Sequence, residues 1–138
     1  ASSAASDVYK RQAFKNLKFL TMIKDNIGDE QIKSTLISVG LDPESKKVVG
    51  KFSLGMRQRL GIAQAIMENP HILILDEPMN GLDKRGVEDI RKILMDLKKK
   101  GKLILLASHN PLDIDILCDC VYELDAGTIV NQRSILPR

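Results

Sequence analysis

The sequence predicts an α/β domain in which a small helical part is followed by parallel strands joined by a crossover helix. Three observations predict it. Apolar residues recur at helical spacing up to Pro70, the pattern then switches to short continuous apolar runs at Ile72–Leu75 and Leu103–Ala107, and an amphipathic stretch separates those runs.

Phe14, Leu17, Leu20 and Ile23 recur at helical spacing and predict a first helix. Gly28 and Asp29 separate it from a second, marked by Ile32, Leu36 and Val39 and closed by Gly40. Leu41 to Lys51, with Pro43 and Gly50, reads as a connection. Ser53 then caps a third helix that runs to Asn69-Pro70, since the residue before proline leaves the helical region. The run Ile72–Leu75 is too short for a helix and predicts a strand buried on both faces. A helix from about Gly86 to Lys100 carries Val87, Ile90, Leu94 and Leu97 on one face, and Leu103–Ala107 repeats the strand pattern. This is a β, crossover helix, parallel β unit. A short helix around Leu112–Leu117 follows, then a terminal hairpin of Val121–Leu124 and Thr128–Val130 across Ala126-Gly127.

The 138 residues are 43% apolar and 28% charged with a net charge of +3, the composition of one globular unit and too mild a balance to specify an anionic partner. Lys98-Lys99-Lys100 precedes Gly101 at a helix end, where cations complement the dipole as a solvated face. Cys118 and Cys120 lack further ligands at zinc spacing and read as reduced thiols of a cytosolic protein. No apolar run approaches a membrane span, so membrane association is expected through a partner. Residues 1–12 are set aside from this reading. Ser2–Gln12, SSAASDVYKRQ, matches the translation of a transposon-type sequencing-library adapter, its end corresponding to GAT GTG TAT AAG AGA CAG, and Ala13 is taken as the first informative residue.

The residue types that carry chemistry collect where a parallel sheet binds ligands, beyond the carboxyl ends of its strands. Asp76 and Glu77 leave the first strand there. One carboxylate can hold Mg²⁺ while its neighbour orients or deprotonates water; an ordinary turn or helix cap is the alternative. Pro78 stiffens the exit. Ser108-His109 brings an imidazole to the same edge, as a phosphate contact or as a turn residue. His71 begins its strand at the opposite edge and reads as structural. Ser53 and Gly55 stand at a helix start, which attracts anions through free N–H groups and also needs nothing more than its cap. No G-x-x-x-x-G-K-[ST] phosphate loop occurs; Gly50-Lys51 and Gly101-Lys102 fail its spacing.

In order, these segments resemble the ATP-binding-cassette family of P-loop ATPases over Ala13 to Leu136. Phe52–Arg59, FSLGMRQR, resembles the signature usually read L-S-G-G-Q-x-Q-R, with Leu54 and Met56 as departures and Ser53 and Gly55 retained. The resemblance implies that Ser53 and Gly55 face the terminal phosphate held by an opposite subunit. Ile72–Glu77 resembles the Walker B strand, which implies Asp76 as the Mg²⁺ residue and Glu77 as the catalytic base. Asn80-Gly81-Leu82-Asp83 resembles the D-loop, which implies that Asp83 lies at the link between two sites of a dimer; Met79 replaces a residue usually small or hydroxylated. Ser108-His109 resembles the switch region, which implies His109 at the γ-phosphate. Cys120 stands where arginine is common. Gln12 is not taken as the family's Q-loop glutamine, because it belongs to the set-aside segment.

The expected fold class is a truncated P-loop NTPase (ABC ATPase) domain, with a helical subdomain and signature helix at about 13–69 and the Walker B to switch-region α/β part at about 70–138. The parent protein is expected to bind and hydrolyse ATP with Mg²⁺ as the nucleotide-binding subunit of a bacterial ABC exporter, peripheral on the cytoplasmic face of the membrane. Its expected partners are a second ABC ATPase subunit, in a homo- or heterodimer, and transmembrane permease subunits, with no direct nucleic acid. A soluble ABC ATPase acting on DNA or ribosomes and a non-catalytic interaction module are the alternatives. Without a phosphate loop the chain alone is expected to lack ATPase activity, and a truncated domain with an open sheet edge and apolar faces is expected to aggregate or be molten.

Overall fold

The computed structural model describes residues 3–23 and 27–135. Six helices and four strands are placed among the described residues: α1 (Ser3–Lys10), α2 (Ala13–Thr21), α3 (Asp29–Ser38), α4 (Leu54–Ile66), β1 (Ile72–Asp76), α5 (Lys84–Lys99), β2 (Leu103–Ala107), α6 (Pro111–Leu117), β3 (Cys120–Asp125) and β4 (Thr128–Ser134), with a single 3₁₀ turn at Val49–Lys51. Leu136, the end of the family-like stretch, lies outside the described residues, as do residues 1 and 2 of the set-aside segment.

The helical part is built as its spacing predicts, with one shift of face. In α3, Ile32 and Leu36 are fully buried and Val39 continues their row as the helix ends. In α2 the buried positions are Ala13, Asn16, Leu17 and Thr21, whereas Ile23 lies past the helix end and is exposed. Of the apolar row expected there, Leu17 alone reaches the core; Phe14 and Leu20 pack on its margin. Val8, Arg11 and Gln12 make contacts with this part. The Val8 carbonyl accepts from Asn16 Nδ2 at 2.9 Å, the Arg11 carbonyl accepts from the Val49 amide at 2.9 Å, and Gln12 bridges antiparallel to Val48.

β1 and β2 pair in parallel with Ile72 opposite Leu103 and Asp76 opposite Ala107, so both strands end at one edge. The crossover is α5, whose Ile90 and Leu94 are buried with Leu75 and Leu117. Gly101, at φ +85°, closes α5 in a Schellman arrangement: its amide donates to the Lys98 carbonyl and the Lys102 amide to that of Leu97. Only glycine reaches that backbone conformation at little cost, and it turns the chain directly into β2. Lys98 is not simply a solvated end, since its ammonium reaches Asp119 at 2.6 Å and the Leu117 carbonyl at 3.2 Å.

The expectation of a strand buried on both faces is corrected here. β1 alternates, with Leu73 and Leu75 buried but Ile72 57% and Ile74 75% exposed; Leu103 and Leu105 of β2 are exposed on the same pattern. The physical reason is layering. The buried side of this two-stranded sheet meets the core around α5, and among the described residues nothing covers the other. β3 and β4 form a separate antiparallel hairpin with a register shift between Glu123 and Leu124.

Candidate nucleotide-hydrolysis site

The parallel register brings the two strand ends together. The Glu77 amide donates to the Ala107 carbonyl at 2.8 Å, which extends the ladder one residue past Asp76. His109, two residues beyond Ala107, then reaches back: its Nδ1 is in hydrogen-bond contact with Glu77 Oε1. The expected convergence of Glu77 and His109 is therefore present. The imidazole is 93% exposed and the carboxylate 33%, so the pair opens to solvent at the strand tips. A carboxylate accepts this hydrogen bond when the proton sits on Nδ1 of the imidazole.

Asp76 ends β1 beside this pair with an exposed side chain. Among the described residues no three metal-ligating side chains gather. Mg²⁺ commonly takes one or two carboxylates and completes its shell with phosphate oxygens and water, so a single carboxylate at the strand end fits a metal delivered with a nucleotide. It does not fit a metal held by protein alone.

Helix α4 begins at Ser53, whose Oγ accepts from the Met56 amide at 3.2 Å. The cap is thus real, and the helix start around it is exposed. Ser53 shows no contact with Asp76, Glu77 or His109. Gly55 meets the acidic turn instead: a Cβ there would lie 3.1 Å from the Gly81 carbonyl oxygen. Gly81 has φ +76°, which favours glycine, and its own Cβ would stand 2.6 Å from Leu54 carbons, which would have to shift. Asp83 caps α5, its Oδ1 accepting from the Gly86 amide at 2.8 Å. The carboxylate expected near a neighbouring site is engaged in its own chain.

Two residues of the Phe52–Arg59 segment had no assigned role and tie α4 to its surroundings. Gln58 Nε2 donates to the Glu77 carbonyl at 2.9 Å. Arg59 donates from Nη1 to the Val39 carbonyl at 2.7 Å and lies 3.7 Å from Asp89, tying α3 and α5 to α4. Behind the switch segment, Arg91 of α5 meets the buried Asp113 of α6 through Nε at 2.7 Å and Nη2 at 2.5 Å. An acid in the first turn of a short helix, with an arginine on the preceding crossover helix, was the available signal for this pair; its burial was not legible.

The family described as ABC transporter matches residues 4–80, more than half of the chain. The chain belongs to the ABC transporter family. Among curated ABC proteins it is 44% identical over 124 residues to the ABC transporter ATP-binding protein YybJ of Bacillus subtilis (strain 168), covering 90% of this chain and 57% of that protein. It is 39% identical over 123 residues to the bacitracin transport ATP-binding protein BcrA of Enterococcus faecalis, covering 88% and 40%. It is 37% identical over 127 residues to the lantibiotic transport ATP-binding protein SrtF of Streptococcus pyogenes, covering 91% and 55%. The chain thus spans about half the length of the curated ABC relatives it matches. Its fold is that of ABC cassettes: a dimeric cassette in a post-hydrolysis state bound to ADP and Pi superposes with a TM-score of 0.83 at 19% identity, covering 95% of this chain and 60% of that one. The α/β P-loop NTPase architecture expected from the sequence is therefore present.

Proposed function

We propose that the intact protein is the ATP-hydrolysing subunit of a bacterial ABC exporter, acting at a head-to-tail interface between two such subunits docked on membrane-spanning permeases. The observation that carries this reading is the Glu77 and His109 contact at the shared end of two parallel strands, one residue beyond Asp76. Glu77 is the base that orients and deprotonates the attacking water. His109 contacts the terminal phosphate with Nε2, which donates to an anion in the imidazolium form, while the carboxylate holds Nδ1. Asp76 would hold Mg²⁺, which would supply positive charge to offset that of the phosphates. Ser53 and Gly55 present the start of α4 to the triphosphate of the opposite subunit, and Asp83 lies at the same junction.

The relatives named for bacitracin and lantibiotic transport favour a peptide antibiotic as cargo. Among the described residues no helix is long and apolar enough to cross a membrane, which accords with attachment through permeases on the cytoplasmic face. The absence of a G-x-x-x-x-G-K-[ST] loop from these 138 residues goes with a further part of the reading. Residues 1–12 are read as derived from a sequencing adapter, on the match of Ser2–Gln12 to its translation. Resequencing the locus upstream of Ala13 tests it.

The experiment for the function is phosphate release from Mg-ATP by the intact gene product. Turnover is expected, and Glu77→Gln is expected to lower it by about a hundredfold or more while nucleotide still binds. Undiminished turnover in Glu77→Gln would remove Glu77 from the mechanism.

A further inference from the structure

We propose that Gln58 is a positioning residue for Glu77, fixing the backbone of the base from the helix that begins at Ser53. The inference rests on the ATPase reading above and adds to it a residue with no assigned part. Glu77 has φ +48°, a left-handed conformation that a side chain other than glycine adopts only when its surroundings hold it there. Three backbone contacts do so. Its amide donates to Ala107 of β2 at 2.8 Å, its carbonyl accepts from the Asn80 amide at 3.1 Å within the following turn, and the same carbonyl accepts from Gln58 Nε2 at 2.9 Å.

The first contact belongs to the sheet and the second to the turn. Only the third comes from another element through a side chain, so it alone can change without altering local chain path. A carbonyl pinned in this way fixes the peptide plane on which the Glu77 side chain is mounted. The direction of the carboxylate toward His109 follows from that plane. α4 also carries Ser53 and Gly55, the groups proposed to meet the opposite subunit's nucleotide. Gln58 therefore couples the part of α4 that serves one site to the base that serves the other, by a hydrogen bond made directly to the base's own backbone. A displacement of α4 on subunit closure would be felt at Glu77 through this bond, and misplacing a reacting group by about 1 Å can cost on the order of a hundredfold in rate.

The test uses the purified intact gene product, with Mg-ATP as the probe and phosphate release as the readout. Gln58→Met keeps the length of the stem and removes the donor. Its kcat is expected to fall about tenfold to a hundredfold, with KM for ATP within about twofold of wild type and the thermal midpoint within about 3 °C. Gln58→Glu replaces the donor with an acceptor at the same length and is expected to fall at least as far; it carries the comparison should Gln58→Met not accumulate as soluble protein. In a Glu77→Gln background, adding Gln58→Met is expected to change residual turnover by less than about twofold, because the group being positioned is gone. A kcat for both variants within about twofold of wild type overturns the inference and leaves the ATPase reading standing. So does a loss carried wholly by KM or matched by a collapse of the thermal midpoint. Wild-type protein that releases no phosphate overturns the ATPase reading, and the inference falls with it.

Discussion

Replacing Arg91 by methionine isolates the cost of an uncompensated buried carboxylate at the base of the switch segment. Asp113 is 1% exposed, and the hydrogen bonds recorded to its carboxylate come from Arg91, through Nε at 2.7 Å and Nη2 at 2.5 Å. At an effective dielectric of about 20, unit charges roughly 2.6 Å apart attract by about 6 kcal/mol, and desolvation of the acid offsets a large part. Arg91 keeps some exposure, which places the loss near the low end of the range of about 3–5 kcal/mol for breaking a buried pair. Against a total of about 5–15 kcal/mol that is a large fraction. Urea unfolding of the intact gene product, followed by far-UV circular dichroism, is expected to show Arg91→Met about 3 kcal/mol less stable. The double variant Arg91→Met with Asp113→Leu is expected to recover most of that loss, since no charge remains to be stranded. A cost below about 1 kcal/mol for Arg91→Met, or a double variant no better than the single, would refute the reasoning.

The junction of α4 with the acidic turn gives a second prediction. Gly81→Ala is expected to cost about 1–3 kcal/mol in urea unfolding, from its φ of +76° and from a Cβ 2.6 Å from Leu54; adding Leu54→Ala should return only the steric part. The cap of α5 gives a third. Asp83→Ala is expected to lose about 1 kcal/mol of stability, whereas Asp83→Asn retains the cap and isolates any effect of the charge on turnover.

The elements were legible because each rests on local chemistry. Ser53 caps α4 as its residue type predicts, β2 spans Leu103–Ala107 as its run predicts, and α3 buries Ile32 and Leu36 at the spacing of one helical face. The pairing of Glu77 with His109 was legible only because parallel strands put their ends at one edge, which is a property of topology and not of either residue. What could not be read was orientation. An apolar run of four residues does not say whether one face or two will be covered, and β1 proved to alternate. Nor does the segment FSLGMRQR say that Gln58 will find the Glu77 carbonyl nineteen residues on, or that Arg59 will reach Val39. Those contacts depend on how α4 lies against the sheet. Propensity carries no such information.

The uncovered side of the β1 and β2 sheet bears on how the polypeptide fares while it is being made. At synthesis rates of about 5–20 residues per second, β1 leaves the ribosome on the order of seconds before β2, because all of α5 must emerge between them. Until then Ile72–Leu75 is an unpaired, uncharged, β-prone segment, and pairing hides only its backbone edge and its inner side chains. Among the described residues nothing covers Ile72, Ile74, Leu103 and Leu105 afterwards. Nascent chains crowded on one message would therefore meet through this patch first, both before and after the two strands pair.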